Sequence, residues 1–474
     1  MLKTSFDNLN KDQESTNHTR HAGTSAALEY DVAVVGAGMG GLGACIFLRQ
    51  AGFRVICIEP KPFPHSSVGE SLDWSAPALL EELGISRDEL VDEQVATYKR
   101  GLRVFSFGEA PFTKLLYSWI SNWPLQFEIL TCHVDRAKLD QKLFEMAQKM
   151  GVTFIWERVS TVETQQDRVM ACQLTNGQRI TATWFIDASG RARLFAKTFS
   201  IGKSEYGRQK VCLWTHFERE SHLEGTVFHV DNSLKYLSWI WEIGITPTKV
   251  SVGYIMPADE LRKLRKSGQS VRQILAEALI KHERFAPLLA EQPDYEVSSC
   301  SYRTYVNEYA CGPNWFIVGE AASMPDPLTS NGVTAALRHA QAATHFMQKA
   351  SDAGRLSRLQ QQLYNRDILQ LGRALNRNIE TALYDWPIRQ QLSPAYAVKI
   401  YAMLAYLANA LYSKFQPRNW LGVVLFKSYL IEMYLWICGF SLIARLIFHT
   451  RQLWRANTHQ ARITSDSTLK KSQN

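Results

Sequence analysis

The amino-acid sequence predicts an α/β fold, in which a domain that begins with a βαβ unit carries an inserted, mainly antiparallel sheet and a helical C-terminal region. Three observations support this prediction. A β-branched run at residues 29–35 enters a glycine cluster, and the helical segment that follows closes on Gly52. Strand-like runs separated by turns occupy residues 205–258. From residue 333 onward the pattern is almost entirely helical.

The other elements follow in chain order. "FRVICIEP" (53–60) is a second strand, which completes a βαβ unit with the glycine cluster. "DRAKLDQKLFEMAQKMG" (135–151) has the periodicity of an amphipathic helix, and "GVTFIWE" (151–157) follows it as a strand. "NWFIVGEAA" (314–322) is typical of a strand that leads into the start of a helix.

The composition fits a folded protein of two or three modules. The 474 residues are 46% hydrophobic and 21% charged, with a formal net charge of +8. We expect no nucleic-acid partner, because outside the C-terminal tail no basic tract has interleaved aromatic residues. The eight Cys show no C-x-x-C spacing and the twelve His no H-E-x-x-H, so we predict neither a metal site nor a disulfide framework. A cytoplasmic location fits this cysteine usage best.

The glycine cluster has the pattern of a phosphate-binding turn. Gly36, Gly38 and Gly41 satisfy G-x-G-x-x-G directly after a strand and before a helix, where glycines let the backbone approach a pyrophosphate. Glu59 ends the second strand, where an acidic residue can accept hydrogen bonds from the adenosine ribose. The pattern predicts a Rossmann-type crevice, which either NAD or FAD could occupy.

Two later segments distinguish between these cofactors. Together with the glycine cluster, "FIDASGRARLFAK" (185–197) and "VGEAASMPDPLTSNGVTAAL" (318–337) resemble three segments of the FAD-dependent monooxygenase superfamily of the aromatic hydroxylase type. The resemblance implies a Rossmann-type FAD-binding domain with FAD as the cofactor. The third segment usually reads Gly-Asp, and here it reads Gly-Glu. The residues that the resemblance places at the cofactor are Arg136, Asp187, Gly190, Arg191, Gly319, Glu320 and Asp326.

Three further features resemble one branch of that superfamily, the flavin-dependent halogenases. "VGESL" (68–72) looks like the branch's strap beside the flavin, which implies that Gly69 and Glu70 contact the cofactor. "WIWEIG" (239–244) resembles the signature W-x-W-x-I-P, with glycine in place of the final proline. Lys99 stands 30 residues after Gly69, where the branch carries its active-site lysine.

This second resemblance implies a halogenase that uses reduced FAD, dioxygen and a halide, chloride or bromide, with a separate flavin reductase as partner. The oxidant would be hypohalous acid, which must be guided to the substrate in a closed space. Lys99 would hold it by hydrogen bonding or as a haloamine, since burial lowers a lysine pKa. Trp239 and Trp241 would keep the substrate apart from the flavin.

The halide site and the substrate class follow from the same resemblance. Ser330, Asn331 and Gly332 fall where the family binds halide with backbone N–H groups at a helix start. Thr329 stands where tryptophan halogenases carry a Glu, which weighs against free tryptophan as the substrate. We therefore expect an electron-rich aromatic or otherwise lipophilic substrate, free or carrier-bound.

The residues themselves leave alternatives open. Lys99, close to Arg100 and Arg103, is also typical of an exposed cation, and Trp239 and Trp241 are equally typical of a buried strand face. The alternative activities are an FAD monooxygenase that hydroxylates or epoxidises, a prenyl-type flavin reductase, and a flavin-bound membrane scaffold without turnover.

The predicted organisation has four parts. They are a mobile polar tail at 1–28, an FAD-binding domain interleaved with a substrate domain at 29–345 with its sheet at roughly 205–300, a helical region at 346–455, and a polar basic tail at 456–474. The helices from 397 onward are apolar, but their longest uncharged stretch, 433–444, is too short to span a membrane. They are typical either of helices in contact with the membrane surface or of a core or dimer helix.

Overall fold

The protein is described by a computed structural model of the 474-residue chain. The structure describes residues 29–62, 68–73, 75–106, 112–114, 130–223, 225–231, 236–350, 354–380 and 384. The predicted N-terminal tail and the helices from residue 397 onward lie outside the described residues. Among the described residues, no helix combines the length and the apolar character needed to cross a membrane.

A parallel sheet forms the first layer and confirms the predicted βαβ unit. Its strand order in the described residues is β17-β11-β1-β2-β7, and every neighbouring pair is parallel. The strands are β1 (Tyr30–Val35), β2 (Val55–Ile58), β7 (Thr153–Ile155), β11 (Ala182–Asp187) and β17 (Trp315–Ile317). Buried aliphatic side chains from β1, β2 and β11 pack with the helices into one apolar core.

A second, larger sheet lies beside this layer, in the order β18-β16-β12-β15-β14-β13-β4-β5. Its described pairings are antiparallel except for β13 with β4, so the predicted mainly antiparallel sheet is confirmed. The strands are β4 (Gly101–Ser106), β5 (Phe112–Lys114), β12 (Lys203–Glu218), β13 (Gly225–Asp231), β14 (Ser238–Thr246), β15 (Lys249–Pro257), β16 (Ser298–Asn307) and β18 (Ser323–Met324). The sheet thus also recruits strands from outside residues 205–300.

Smaller strands and the helices complete the described structure. A two-stranded ladder pairs β3 (Ala96–Lys99) with β6 (Thr131–Val134), and β8 (Val159–Gln165), β9 (Arg168–Leu174) and β10 (Arg179–Ile180) form a three-stranded sheet. The helices are α1 (Met39–Gln50), α2 (Ala76–Leu83), α3 (Arg87–Asp92), α4 (Arg136–Lys149), α5 (Leu194–Thr198), α6 (Ala258–Lys266), α7 (Val271–Ile280), α8 (Ala286–Glu291), α9 (Gly332–Gln348) and α10 (Arg358–Ile379).

The central strands of the large sheet, β14 and β15, are buried on both faces. One face packs against α7 and α8 through side chains such as Ile240 and Val252. The other face carries Trp239 and Trp241 and packs against Leu328 and the end of α10. This burial explains why β14 reads as an almost continuous apolar run rather than as an alternating strand.

The third resemblance segment corrects one local prediction. The helix expected to start within residues 314–322 is a single 3₁₀ turn at Gly319–Ala321, and the α-helix begins only at Gly332. Pro325 and Pro327 lie between these points, and proline disfavours helical backbone in the residue before it as well as removing a donor. The segment therefore crosses the site as irregular backbone before α9 starts.

Candidate active site

The glycine turn between β1 and α1 has the shape of a phosphate cradle. Gly36 has φ of +100°, and a Cβ added at Gly41 would overlap the Gly36 carbonyl oxygen. A Cβ at Gly38 would meet nothing within 4 Å, so this position faces open space at the N-terminus of α1. The N-cap residue Gly38 makes no side-chain capping bond, so within the described part of the chain the first amides of α1 are available to an anion.

The acidic residue after β2 supports this turn from the other side. Glu59 Oε2 accepts a hydrogen bond from the Ala37 backbone N–H at 2.8 Å. The carboxylate therefore lies directly at the glycine turn, where the sequence places the ribose contact. These residues fit the adenosine end of FAD.

The second resemblance segment is held together by a buried carboxylate. Asp187 is fully buried, and its two oxygens accept hydrogen bonds from the backbone N–H groups of Ser189 at 2.9 Å and Phe195 at 2.7 Å. Gly190 adopts φ of +59°, and a Cβ there would meet nothing within 4 Å. Asp187 therefore shapes the turn, while Gly190 leaves it open toward the crevice.

Arg136 supports the strap, residues 68–72. Its guanidinium forms two 3.0 Å hydrogen bonds with Asp140 and donates to the carbonyls of Val68 at 3.1 Å and Gly69 at 3.4 Å. Gly69 itself adopts φ of +112°, a conformation that favours glycine. Arg136 thus fixes the strap, and most of its donors are already occupied by protein oxygens.

Glu320 lies at the same crevice, and its side chain is exposed to solvent. The surrounding protein raises the pKa of its carboxyl, while Arg191 and Arg136 oppose this by favouring the charged form. Arg191 in turn donates to the Ser301 carbonyl at 3.1 Å. The crevice therefore presents one carboxylate between two guanidinium groups.

Glu70 of the strap connects to the large sheet. Its carboxylate accepts hydrogen bonds from His216 Nε2 at 2.5 Å and from Ser251 Oγ at 2.6 Å. Ser251 Oγ also accepts from the indole N–H of Trp241 at 3.1 Å. The carboxylate is 5% exposed. Glu70 thus joins the strap to one of the two predicted tryptophans through a single bridging hydroxyl.

Lys99 is buried at the end of β3, with 3% of its surface exposed. Its Nζ donates to Ser71 Oγ at 2.9 Å and to the Leu72 carbonyl at 3.0 Å, and it lies 3.5 Å from Ser330 Oγ. Burial lowers its pKa to about 8, while Asp73 and Cys132 oppose the shift. The fold therefore brings the predicted lysine to the predicted halide segment and makes its amine easier to deprotonate.

The halide segment precedes α9. Ser330 adopts φ of +56°, its hydroxyl donates to Ser71 Oγ at 3.1 Å, and Asn331 occupies the N-cap position without a side-chain capping bond. A Cβ at Gly332 would meet nothing within 4 Å. Thr329 donates to Asn331 Oδ1 at 2.7 Å. The first amides of α9 are therefore uncapped beside Lys99, an arrangement suited to an anion.

Trp239 and Trp241 belong to an apolar cluster on the inner face of the sheet. They are 3% and 8% exposed, and their ring centroids lie 6.0 Å apart. Both indole N–H groups are satisfied, that of Trp239 by Tyr384 Oη at 2.9 Å. The cluster extends to Leu328, just before the halide segment. The tryptophans thus fill the space between the sheet and the third segment.

Asp326 lies in a buried ionic cluster that sequence reasoning missed. It accepts a hydrogen bond from Tyr384 Oη at 2.9 Å and lies 3.3 Å from Nζ of Lys210, a lysine with no exposed surface. Lys210 also pairs with Glu380, which accepts from Tyr236 Oη at 2.8 Å. Asp326 therefore anchors the third segment to the sheet and to the end of α10.

Gly244, which replaces the signature proline, lies at a β-bulge in β14. A Cβ there would overlap Ser221 Oγ, and the Gly244 carbonyl accepts a hydrogen bond from Thr97 of β3. The bulge joins the tryptophan strand to the strand that carries Lys99. Glycine at this position therefore allows the backbone to pack closely against Ser221 and Thr97.

Several polar residues at the site were not predicted from the sequence. Ser71 follows Glu70 in the strap motif, and His133 precedes Arg136 in "HVDRAKLDQKL", so both were adjacent to predicted residues. Thr226, His216 and Lys210 lie on strands without a recognisable motif, and only the sheet register brings them to the site.

Two family models match this chain. The model described as "Tryptophan halogenase" matches residues 129–425. The model described as "FAD binding domain" matches residues 31–77, the region of the glycine turn and the strap.

Curated relatives and solved structures agree with these matches. The chain is 29% identical over 330 residues to tryptophan 2-halogenase of Chondromyces crocatus, an alignment that covers 65% of this chain and 59% of that protein. It is 26% identical to 1H-pyrrole-2-carbonyl-(peptidyl-carrier protein) chlorinase of Pseudomonas fluorescens, over 67% of this chain and 75% of the relative. The structure of CmlS, a flavin-dependent halogenase, superimposes with a TM-score of 0.63 at 21% identity, covering 81% of this chain and 73% of the other.

Proposed function

Because this chain belongs to the tryptophan halogenase family and is an FAD-dependent oxidoreductase, we propose that it halogenates an electron-rich aromatic or lipophilic substrate with reduced FAD, dioxygen and halide. The alternatives of hydroxylation and of prenyl reduction share the FAD crevice but give no role to a buried lysine at the halide segment. A scaffold without turnover likewise has no use for such a lysine.

One observation carries the proposal: the buried Nζ of Lys99 lies 3.5 Å from Ser330 Oγ, at the uncapped start of α9. Burying an ammonium group costs folding free energy unless the group is paired. Buried lysines with a perturbed pKa are therefore often found at functional sites. The neighbouring amides of α9 offer an anion the positive end of a helix. Lys99 and the halide segment thus form one site for an anion and its oxidised product.

FAD, when bound, supplies the two-electron chemistry that combines dioxygen with halide to give hypohalous acid. The glycine turn, Glu59 and the turn at Gly190 would hold the cofactor, and the strap would cover it. Lys99 then takes up the halogen: its neutral amine bonds the halogen of hypohalous acid, and water leaves. Because Lys99 is buried, bulk water is kept from the haloamine.

The tryptophan cluster separates the cofactor from the substrate. Trp239 and Trp241 are held by hydrogen bonds to Tyr384 and Ser251, so their rings are fixed rather than free to turn. Fixed indoles between the sheet and the third segment would exclude an aromatic substrate from direct contact with the flavin. The substrate would then receive halogen only from Lys99.

Two observations bear on the class of substrate. The relative from Pseudomonas fluorescens is described as acting on a pyrrole carried by a peptidyl-carrier protein. Thr329 stands where we expect a tryptophan halogenase to carry a carboxylate. We therefore favour a carrier-bound or otherwise lipophilic aromatic over free tryptophan, with a separate reductase supplying the flavin.

The experiment combines purified protein, chemically reduced FAD, dioxygen and bromide with a panel of phenols and pyrroles, free and attached to a carrier protein. Mass spectrometry of the products should show a bromine isotope pattern that disappears without bromide. A product that gains one oxygen regardless of halide would instead assign the chain to the monooxygenases. Bound flavin without any product from the panel would favour the scaffold.

The predicted peripheral contact with the cytoplasmic membrane face rests on residues 397–455, outside the described residues. Their aromatic and basic side chains suit the headgroup region of an anionic membrane. The full chain should pellet with anionic vesicles at low salt and be released at high salt, whereas a chain ending at residue 415 should stay in the supernatant. Equal behaviour of both forms would remove this prediction.

A further inference from the structure

Four polar side chains beside the active site form a continuous hydrogen-bonded series. Lys99 Nζ donates to Ser71 Oγ at 2.9 Å, and Ser71 Oγ lies 3.4 Å from Thr226 Oγ1. Thr226 Oγ1 lies 2.9 Å from Nε2 of His133. Lys99, Thr226 and His133 are 3%, 2% and 0% exposed. The series therefore joins two buried titratable groups through two hydroxyls.

One orientation of the hydroxyl protons satisfies all three contacts. An ammonium group can only donate, so the Ser71 oxygen accepts from Lys99 and its own proton points to Thr226. The Thr226 proton then points to Nε2 of a neutral His133. This requires the imidazole proton to be on Nδ1, so that Nε2 acts as the acceptor. Every donor thus points the same way, from Lys99 toward His133.

We propose that Ser71, Thr226 and His133 form the path by which Lys99 loses its proton before it accepts halogen. The inference rests on the proposed function, because only a haloamine mechanism requires a neutral amine at this position. Ser71, Thr226 and His133 act through Lys99 and are positioning residues.

The charges around the series keep the proton on Lys99 at rest. The groups facing Lys99 are Asp73, before α2, and Cys132 and His133, on β6. Burial and the charge of Lys99 hold the pKa of His133 well below its usual value, although the Gly244 backbone opposes them. His133 is therefore neutral at pH 7 and accepts a proton only transiently, when the amine is needed.

The proton moves from Lys99 to His133 before the halogen is transferred. An N–H bond breaks at Lys99 and one forms at His133 Nε2, while each hydroxyl passes its proton on by one position. The free amine attacks the halogen of hypohalous acid, so that the N–halogen bond forms and the oxygen–halogen bond breaks. The leaving hydroxide takes a second proton from the same nitrogen and becomes water. After the halogen passes to the substrate, whose ring proton returns to the nitrogen, His133 gives its proton back to Lys99.

The first test needs no cofactor. Competitive acylation of the apoprotein between pH 6 and 10, read on the Lys99 peptide by mass spectrometry, measures the pKa of Lys99. Thr226→Val removes the hydroxyl at similar volume, so the Ser71 proton loses its acceptor and the Ser71 oxygen is no longer held as an acceptor for Lys99. The charged form of Lys99 is then less stabilised, and the pKa of Lys99 should fall by at least about 0.5. Thr226→Ser should leave it unchanged, as should Thr215→Val, a buried threonine elsewhere in the sheet.

The second test measures halogenation by the FAD-loaded enzyme. Thr226→Val should lower kcat at least about tenfold, in the range expected for lost proton transfer, without changing KM for halide. Thr226→Ser keeps the hydroxyl, so it should retain the kcat of the wild type and the solvent deuterium isotope effect on kcat that we expect for proton transfer along the series. If Thr226→Val does not fold, Ser71→Ala interrupts the series at its other hydroxyl and carries the same expectations.

The two tests separate the inference from the proposed function. A wild-type protein that halogenates nothing refutes the proposed function, and the inference falls with it whatever acylation shows. If the wild type halogenates but Thr226→Val keeps the Lys99 pKa or kcat, the path is refuted while the proposed function stands. The path is supported if Thr226→Val lowers both the Lys99 pKa and kcat while Thr226→Ser keeps both at their wild-type values.

Discussion

Lys99 is a single residue whose charge the chain buries at the site. Lys99 stands in sequence near two arginines and is typical of a surface cation, yet β3 turns it inward against the strap. The neutral oxygens of Ser71, Leu72 and Ser330 are among its partners. A lysine held in this way is destabilising for the fold, and a reactive amine is the reason we give for its presence.

The first prediction follows from the pKa of Lys99, which lies at about 8 in the folded chain against an ordinary value of 10.5. Between these two values the unfolded chain binds more protons, so the free energy of unfolding rises as pH increases from about 8 to 10.5. Lys99→Met removes the buried charge and should stabilise the protein at pH 7 by up to about 3 kcal/mol. Urea unfolding of the apoprotein at pH 7 and pH 10 measures this.

Two results would contradict the prediction for Lys99→Met. One is a loss of stability at pH 7, and the other is a stability gain that persists undiminished at pH 10. Arg103→Ala, which removes an exposed cation from the next strand, is the matched control and should change stability little at either pH.

The second prediction concerns Gly38, whose Cβ position is open and whose φ of −72° suits alanine. Gly38→Ala should leave the thermal stability of the apoprotein unchanged or slightly raised. The added methyl would occupy the surface that a pyrophosphate approaches, so the Kd for FAD should rise at least about tenfold. Fluorescence titration with FAD measures it, and unaltered affinity would place the phosphates elsewhere.

At the scale of elements, β14 connects the tryptophans to the lysine strand. The strand is buried along its whole length and ends in the bulge at Gly244, whose carbonyl accepts from Thr97 on β3. Glu70 provides the second connection, since it bridges the strap to His216 and Ser251. The strap, the tryptophan strand and the lysine strand are therefore held as one unit.

The third prediction tests the packing at this bulge. Gly244→Ala places a methyl group against the Ser221 hydroxyl and should cost about 2 kcal/mol of stability, typical of overpacking. Adding Ser221→Gly to the variant should recover most of that loss, because the clashing side chain is gone. Urea unfolding of both single variants and the double variant gives the coupling energy, and additive effects would show that the two residues are not in contact.

The sequence predicted the crevice because its glycine, helix and acidic residue are local features. The strap and the halide segment were also recognisable as short motifs, and the structure brings both to Lys99. Thr226, His216 and Lys210 were not recognisable, because a polar residue in a strand acquires its partner only through sheet register. The start of α9 was misplaced because two prolines extend the irregular segment.

Two of the buried polar contacts that connect segments of the site to the large sheet extend across the molecule. One is the Glu70 bridge, and the other is the cluster of Lys210, Asp326 and Glu380. The second contact also includes the end of α10, so the helical region helps to fix the halide segment. The site is thus built from parts contributed by the strap, the sheet and the helical region.

The fourth prediction follows from this second contact. Lys210→Met leaves Asp326 and Glu380 buried without their cation, so the protein should lose about 3 kcal/mol or more of stability. The loss should be smaller at low pH, where protonation relieves the carboxylate of Glu380, whose pKa is raised by burial. Urea unfolding at pH 5 and pH 8 tests this, and a variant as stable as wild type at both would show that the cluster contributes nothing.

The most direct test of the central claim is halogenation by Lys99→Ala, with flavin reoxidation followed in the same reaction. We expect this variant to bind FAD and to reoxidise reduced flavin in the presence of bromide, yet to yield no brominated product. Arg103→Ala should brominate like the wild type. Brominated product from Lys99→Ala at the wild-type rate would contradict the role of Lys99, and with it the proposed mechanism.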